Sequence, residues 1–250
     1  MKILRYTKDG ITSYGVLKDD AVYPITGDMY GKFAVAEKGI PFSNVKVEVP
    51  CEPTKIVAVG LNYSEHAKEF GGDQLADPIL FLKPTTSLLA DGGTIIRPKN
   101  SERVDYEAEL CVVIGKTAKD VTKEEANDYI LGYTCANDVT ARDLQKKDGQ
   151  WTRGKGFDTF CPVGPWIETD ICPDSLDISL KLNEEIKQDG NTNMMMFNAA
   201  ELVSYISGIM TLLPGDIIIT GTPAGIGPMA EGDRVSVTIN GIGTLTNYVK

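Results

Sequence analysis

The stretch RVDYEAELCVVIG, residues 103–115, decides how the rest of the chain is read. Its second half is β-branched and apolar, the composition of a buried strand, and a strand puts side chains two apart on one face. Glu107 and Glu109 therefore share a face. Two like charges side by side repel, and when buried at least one takes up a proton unless a cation holds both ionised. The next acid in a comparable setting is Asp138, just after the apolar run 130–137. Carboxylates on one strand and just beyond another are placed to converge on a hard cation with oxygen ligands, Mg²⁺ or Mn²⁺ in kind. The alternative for a Glu-x-Glu pair is a solvated strand face, the commoner fate of charged residues.

Upstream, residues 55–60 form a continuous apolar run that reads as a buried strand, and Ser64 can cap a short helix after it. On that helix His66 and Glu69 are three apart and hence neighbours, so the carboxylate can orient the imidazole and raise its basicity. His66 is the one histidine in the chain, and so the sole candidate for an imidazole general base; a surface His–Glu pair is the alternative. Residues 78–84 read as a strand that ends in Lys83, fixed beside Pro84 and available to an anion. Thr122 and Glu125 have capping-box spacing and predict a helix toward Tyr129. Residues 139–145 predict a short helix that sets Arg142 one turn beyond Asp138, to neutralise excess carboxylate or bind substrate oxygens, with surface pairing as the alternative. Lys155, between Gly154 and Gly156, reads as a loop residue whose backbone can approach a ligand, or as an ordinary flexible tip.

Farther on, Asn198 and Glu201 form a capping-box pair, and Phe197 with Leu202 a hydrophobic staple. They predict a helix with Leu202, Ile206, Ile209, Met210 and Leu213 on one face, stopped by Pro214 and Gly215. Residues 216–220 read as a strand delivering the loop Gly221-Thr222-Pro223-Ala224-Gly225-Ile226-Gly227. Its glycine spacing is wrong for a nucleotide loop and Pro223 obstructs a helix, but its backbone donors at Gly221 and the Thr222 hydroxyl can hold a carboxylate.

The bounds agree with this reading. A 250-residue chain with 42% apolar and 24% charged residues supports one sizeable core, or one core and a small appendage. Its first fifty residues read as a β meander, and Pro50 and Pro53 mark a boundary between units 1–52 and 53–250. A formal net charge of −10 argues against nucleic acid or an anionic membrane as partner. Residues 1–10 lack a signal-peptide core and no run reaches membrane-spanning length, so a soluble, cytoplasmic protein is expected. The five cysteines, an odd number without a Cys-x-x-Cys pair, predict reduced and mostly buried thiols.

In order along the chain, GLNYSEHAKE, FLKP, VDYEAEL, GYTCANDVTARDLQ, RGKGFDTF and LLPGDIIITGTPAGIG resemble the catalytic domain of the fumarylacetoacetate hydrolase family, from about Pro53 to the C-terminus. The resemblance implies an α+β fold, a mixed β-roll with few short helices, preceded by a small N-terminal β unit, usually in a homodimer. It implies Mg²⁺, Mn²⁺ or Ca²⁺ on Glu107, Glu109 and Asp138, and a water-activating dyad of His66 and Glu69. Arg142, Gln145, Lys155 and Thr222 match positions around substrate or metal.

The chemistry also follows from the residue types. Three carboxylates leave adjacent coordination positions for a 2-oxo acid, bound through its carboxylate and keto oxygens, and the cation stabilises the enolate formed when a bond at C3 breaks. Hydrolysis of an acylpyruvate, decarboxylation of an oxaloacetate-like acid and isomerisation of an unsaturated oxo-diacid such as 2-hydroxyhepta-2,4-diene-1,7-dioate share that need. His66 and Glu69 favour C–C hydrolysis. A reading of another class is a metal-dependent 2-oxo-acid binding protein without turnover.

Overall fold

The computed structural model describes residues 1–64 and 75–250, so the pairing of His66 with Glu69 lies outside the described residues. The stretch 103–115 forms two strands with Glu107 between them. Val104–Tyr106 pairs with Thr140–Ala141 and Gly227–Pro228 in a small three-stranded sheet, whereas Ala108–Ile114 lies between Ile130–Asn137 and Ile217–Ile219 in the main sheet. Side chains hold the backbone where it changes sheets. The Glu107 N–H donates to Asn137 Oδ1 and the Ala108 N–H to Gln188 Oε1, both at 2.9 Å, so buried main-chain donors stay paired off the ladder.

In the main sheet Cys161–Glu168, Ile130–Asn137, Ala108–Ile114, Ile217–Ile219, Ile56–Gly60 and Ile79–Lys83 lie in that order. All these neighbours are antiparallel except Ile217–Ile219 and Ile56–Gly60. The N-terminal strands Lys2–Lys8, Ile11–Lys18 and Ala21–Gly27 continue the same sheet, with Lys2 opposite Glu168. A second sheet runs Thr94–Ile95, Gly243–Val249, Arg234–Ile239, Asp177–Leu182 and Glu185–Asn191. Strands predominate and helices are few and short, an α+β fold.

Period-two alternation splits the core. Leu110, Val112, Ile114, Val57, Val59 and Ile218 join one apolar cluster with the second sheet and the helix Ala199–Ile209; Cys111, Val113, Ile56, Ala58, Ile217 and Ile219 join another on the opposite face. Each buried aliphatic side chain contributes about 2 kcal/mol. Glu109, two residues before Cys111, belongs to the second face, as alternation requires.

The helix Ala199–Ile209 starts with the full Asn198–Glu201 capping box. Its predicted apolar face is shorter than expected: the chain becomes extended at Met210, and Ile209 and Leu213 are 56% and 38% exposed. Thr122 and Glu125 do bond to each other, but only a single 3₁₀ turn, Ala126–Tyr129, follows. The helix after Asp138 begins later than predicted, at Arg142, because Thr140–Ala141 first adds to the small sheet. Cys51, Cys111, Cys135 and Cys161 are free and buried, and Cys172 is free and exposed. Among the described residues, no helix is long and apolar enough to cross a membrane.

Candidate active site

Glu107, Glu109 and Asp138 converge. One oxygen from each lies within 4.8 Å of the others, and they are 4%, 1% and 1% exposed, which removes the solvated-face alternative. The change of sheet at Glu107 supplies the geometry: the Asp138 N–H donates to the Glu107 carbonyl at 2.9 Å, binding the end of one strand to the start of another.

Buried cations surround two of the three carboxylates. Lys155 Nζ lies 2.9 Å from Glu107 Oε2 and 2.5 Å from Asp138 Oδ2. Lys83 Nζ takes the other oxygen of Asp138 at 2.5 Å. Arg142 Nη2 donates to Glu107 Oε1, its Nε to Asp105 Oδ2 at 2.9 Å, and its Nη1 to Gln145 Oε1 at 2.7 Å. Lys155, expected on a loop, ends the short helix Thr152–Lys155 and is buried, so the flexible-tip alternative fails. Burial opposes its charge, but the Asp138 and Glu107 carboxylates outweigh this and hold the ammonium above its usual range.

Glu109 differs. It accepts the Gly221 N–H at 2.7 Å and, among the described residues, forms no ion pair. Burial first, then the Asp138 and Glu107 charges, push its carboxyl well above the usual carboxylate range. A divalent cation fits this donor set: three buried oxygens converge, one carboxylate forms no ion pair among the described residues, and each oxygen of Asp138 keeps a lone pair beyond its lysine. A small cavity of about 160 Å³ opens onto Glu107, Arg142, Gln145 and Lys155, with Gly60, Leu61 and Trp151 as its wall.

Residues 55–250 match the family described as Fumarylacetoacetate (FAA) hydrolase C-terminal. The chain belongs to the fumarylacetoacetate hydrolase family. Residues 1–50 match the description Rv2993c-like, N-terminal. Uncharacterized protein MJ1656 of Methanocaldococcus jannaschii is 59% identical over 199 residues, 80% of this chain and 84% of that one. The mitochondrial oxaloacetate decarboxylase of Dictyostelium discoideum is 46% identical over 197 residues, 76% of this chain and 90% of that one. The crystal structure of 2-hydroxyhepta-2,4-diene-1,7-dioate isomerase from Mycobacterium marinum superposes with a TM-score of 0.94 at 42% identity, covering 100% of this chain and 98% of that one.

In this fumarylacetoacetate hydrolase family member the remaining predicted residues divide. Gln145 lines the cavity beside Arg142. Gly221 and Thr222 are buried; the Gly221 N–H is used by Glu109, and the Thr222 hydroxyl accepts Gln188 Nε2 at 2.8 Å. Lys83, expected to meet an anion, pairs with the Asp138 carboxylate.

Sequence reasoning missed three supporting residues. Gln188, 1% exposed, joins Ala108 to Thr222 and to the Pro223 carbonyl. Asp105 fixes the Arg142 guanidinium, and Asn137 holds the Glu107 backbone. Gln188 stands in a polar hairpin strand, EIKQDGN, with nothing in its neighbours to mark it. Asp105, alternating with Glu107 and Glu109 within the stretch 103–115, carried a signal that could have been used.

Proposed function

We propose that this chain is a divalent-metal-dependent enzyme that hydrolyses a C–C bond in an acylpyruvate-type 2,4-dioxo acid through an enolate. The convergence of Glu107, Glu109 and Asp138, with Glu109 forming no ion pair among the described residues, carries the reading. A cation held by those three residues would supply Lewis acidity to the 2-oxo group. Around it the chain's own residues bind and orient. Lys155 and Arg142 border the cavity and favour an anionic substrate and the enolate charge, and Arg142 holds the Gln145 amide toward the same space. His66, oriented by Glu69, takes a proton from water as its oxygen adds to the C4 carbonyl. The C3–C4 bond then breaks, its electron pair forms the enolate, and protonation at C3 releases pyruvate and a carboxylic acid.

Decarboxylation of an oxaloacetate-like acid is the second reading, favoured by the 46% identity to a protein named oxaloacetate decarboxylase and by a cavity well below the roughly 300–1,000 Å³ of drug-sized ligand sites. Isomerisation of an unsaturated oxo-diacid draws support from the 42% identical isomerase structure. Acylpyruvates, oxaloacetate and unsaturated oxo-diacids should be assayed side by side with Mg²⁺ and with EDTA. Metal-dependent release of pyruvate from acylpyruvates is expected to be fastest. Metal binding without turnover of any of them would instead mark a 2-oxo-acid binding protein.

The same reading includes a mixed β-roll for the catalytic unit 53–250, a small unit 1–52, and a homodimer. Sedimentation should give twice the chain mass of 27.1 kDa; a monomer would remove the dimer from the proposal.

A further inference from the structure

Two cavities meet at one side chain. The small one, about 160 Å³, opens onto Glu107, Arg142, Gln145 and Lys155. A larger one, about 940 Å³, runs along the strand Ile79–Lys83 and reaches Thr54 and Lys55. Among the described residues, Trp151 is the one that lines both. The smaller space lies below the roughly 300–1,000 Å³ of drug-sized ligand sites and the larger within that range. The indole therefore stands between a chamber sized for a small acid and a space with room for a longer tail.

Contacts on several sides fix the indole there. It meets the Phe81 ring edge-on, with centroids 5.2 Å apart and planes at 73°, and the Lys155 ammonium lies over that same Phe81 ring. The Lys155 N–H donates to the Trp151 carbonyl at 2.9 Å at the start of the helix Thr152–Lys155. One short turn thus carries both the cation that pairs with Glu107 and Asp138 and the ring that closes the cavity. Gly60, the last residue of the strand Ile56–Gly60, leaves the space for that ring: a Cβ there would lie 2.5 Å from the indole Cζ3 and 2.8 Å from its Cη2. The φ of Gly60 is not left-handed, so it is room for the indole, rather than backbone freedom, that calls for glycine.

The walls of the small cavity also orient a ligand. Arg142 and Lys155 suit its anionic end, which leaves the alkyl end to the apolar wall of Gly60, Leu61 and Trp151. Leu61 holds a φ of 56°, a left-handed conformation costly for leucine and of the kind that clusters at ligand clamps. Past the indole the lining remains largely apolar, with Ile79, Leu80, Leu82 and Pro84.

We infer that Trp151 is a specificity-determining residue, its indole the stop that limits the site to short-chain 2-oxo acids and shuts the larger apolar cavity off from their tails. The inference rests on the proposed metal-dependent function and adds to it which substrates of that class fit.

Trp151→Ala joins the two cavities, and Trp151→Phe shortens the stop while keeping an aromatic ring against Phe81. Pyruvate and 2-oxooctanoate, which extends pyruvate by an unbranched alkyl tail, should be titrated by calorimetry into Mn²⁺-loaded wild type and both variants, with melting temperature as the control. Wild type should bind 2-oxooctanoate no more tightly than pyruvate. In Trp151→Ala the preference should move toward 2-oxooctanoate by at least about ten-fold, since each buried methylene is worth roughly four-fold in affinity, with Trp151→Phe between the two. Wild type that already gains that factor for each methylene overturns the inference, as does an unchanged preference in a folded variant. Equal weakening of both ligands with a lower melting temperature in both variants overturns it in favour of a structural tryptophan. Absence of Mn²⁺-dependent binding of either acid to wild type overturns the proposed function, and this inference with it.

Discussion

Lys83 and Asp138, 55 residues apart, meet with Nζ 2.5 Å from Oδ1 in a contact that excludes solvent from both side chains. Together with Lys155 this places two ammonium groups on one carboxylate. Removing one partner of a buried pair leaves an uncompensated charge and costs about 3–5 kcal/mol. Lys83→Met should therefore lower the unfolding free energy of the metal-free protein by about 3 kcal/mol. Mg²⁺ should restore more stability to the variant than it adds to wild type, since the cation replaces the lost charge. Urea unfolding with and without Mg²⁺ measures this, and equal increments in the two proteins would refute the role given to Lys83.

Glu109→Gln keeps the side-chain shape and removes the carboxylate that lacks an ion pair among the described residues. The fold should persist, at equal or greater metal-free stability, because an unfavourably buried charge is gone. Mn²⁺ affinity should fall by more than the roughly 10–100-fold typical of residues that merely support metal ligands. Calorimetry tests this; wild-type affinity in the variant would end the three-carboxylate reading.

His66→Ala bears on the reaction type. Loss of a general base should slow acylpyruvate hydrolysis by roughly two to four decades while Mn²⁺ affinity persists. Decarboxylation should lose less, since it needs an electron sink more than an activated water. Rates on both substrates and one metal titration decide it, and a variant that no longer binds Mn²⁺ would assign His66 to the metal or the fold.

Asp216 should contribute to the acid sensitivity of the fold. Its Oδ1 accepts the Thr54 N–H and hydroxyl, each at 2.8 Å, and its Oδ2 accepts the Leu213 N–H at 2.7 Å and the Lys55 ammonium. Burial alone would raise its pKa, but the Lys55, Leu213 and Thr54 donors outweigh that and hold it below the usual carboxylate range. With the native value lowered, the unfolded chain binds the proton more readily. The stabilisation is therefore complete above the ordinary Asp range and is lost as pH falls through the depressed native value. Asp216→Asn should cost roughly 3 kcal/mol at neutral pH and flatten the decline in stability below about pH 4. Urea midpoints across pH 2–7 test this; parallel curves for the two proteins would exclude Asp216 as the titrating group.

Residue types and spacing by themselves determined much of this protein. Continuous apolar runs marked the strands Ala108–Ile114, Ile130–Asn137 and Ile217–Ile219, and Asn198 with Glu201 marked the start of the helix Ala199–Ile209, because hydrophobic runs and capping chemistry are local. The acidic pair at 107 and 109 and the acid at 138 were legible as a potential cation site for the same reason. Only the tertiary structure decided that the three converge, since strands of different register must first pair antiparallel with Ala108 opposite Asn137. It also decided that the strand breaks at Glu107, where Asn137 and Gln188, distant in sequence, replace the ladder partners. Lys155 was legible as a residue between glycines but not as a buried cation. Its surroundings come from Phe81, over whose ring the ammonium lies at 5.2 Å, and from the two carboxylates. Burial and charge compensation are properties of neighbours, and long-range neighbours are chosen by packing rather than by spacing along the chain.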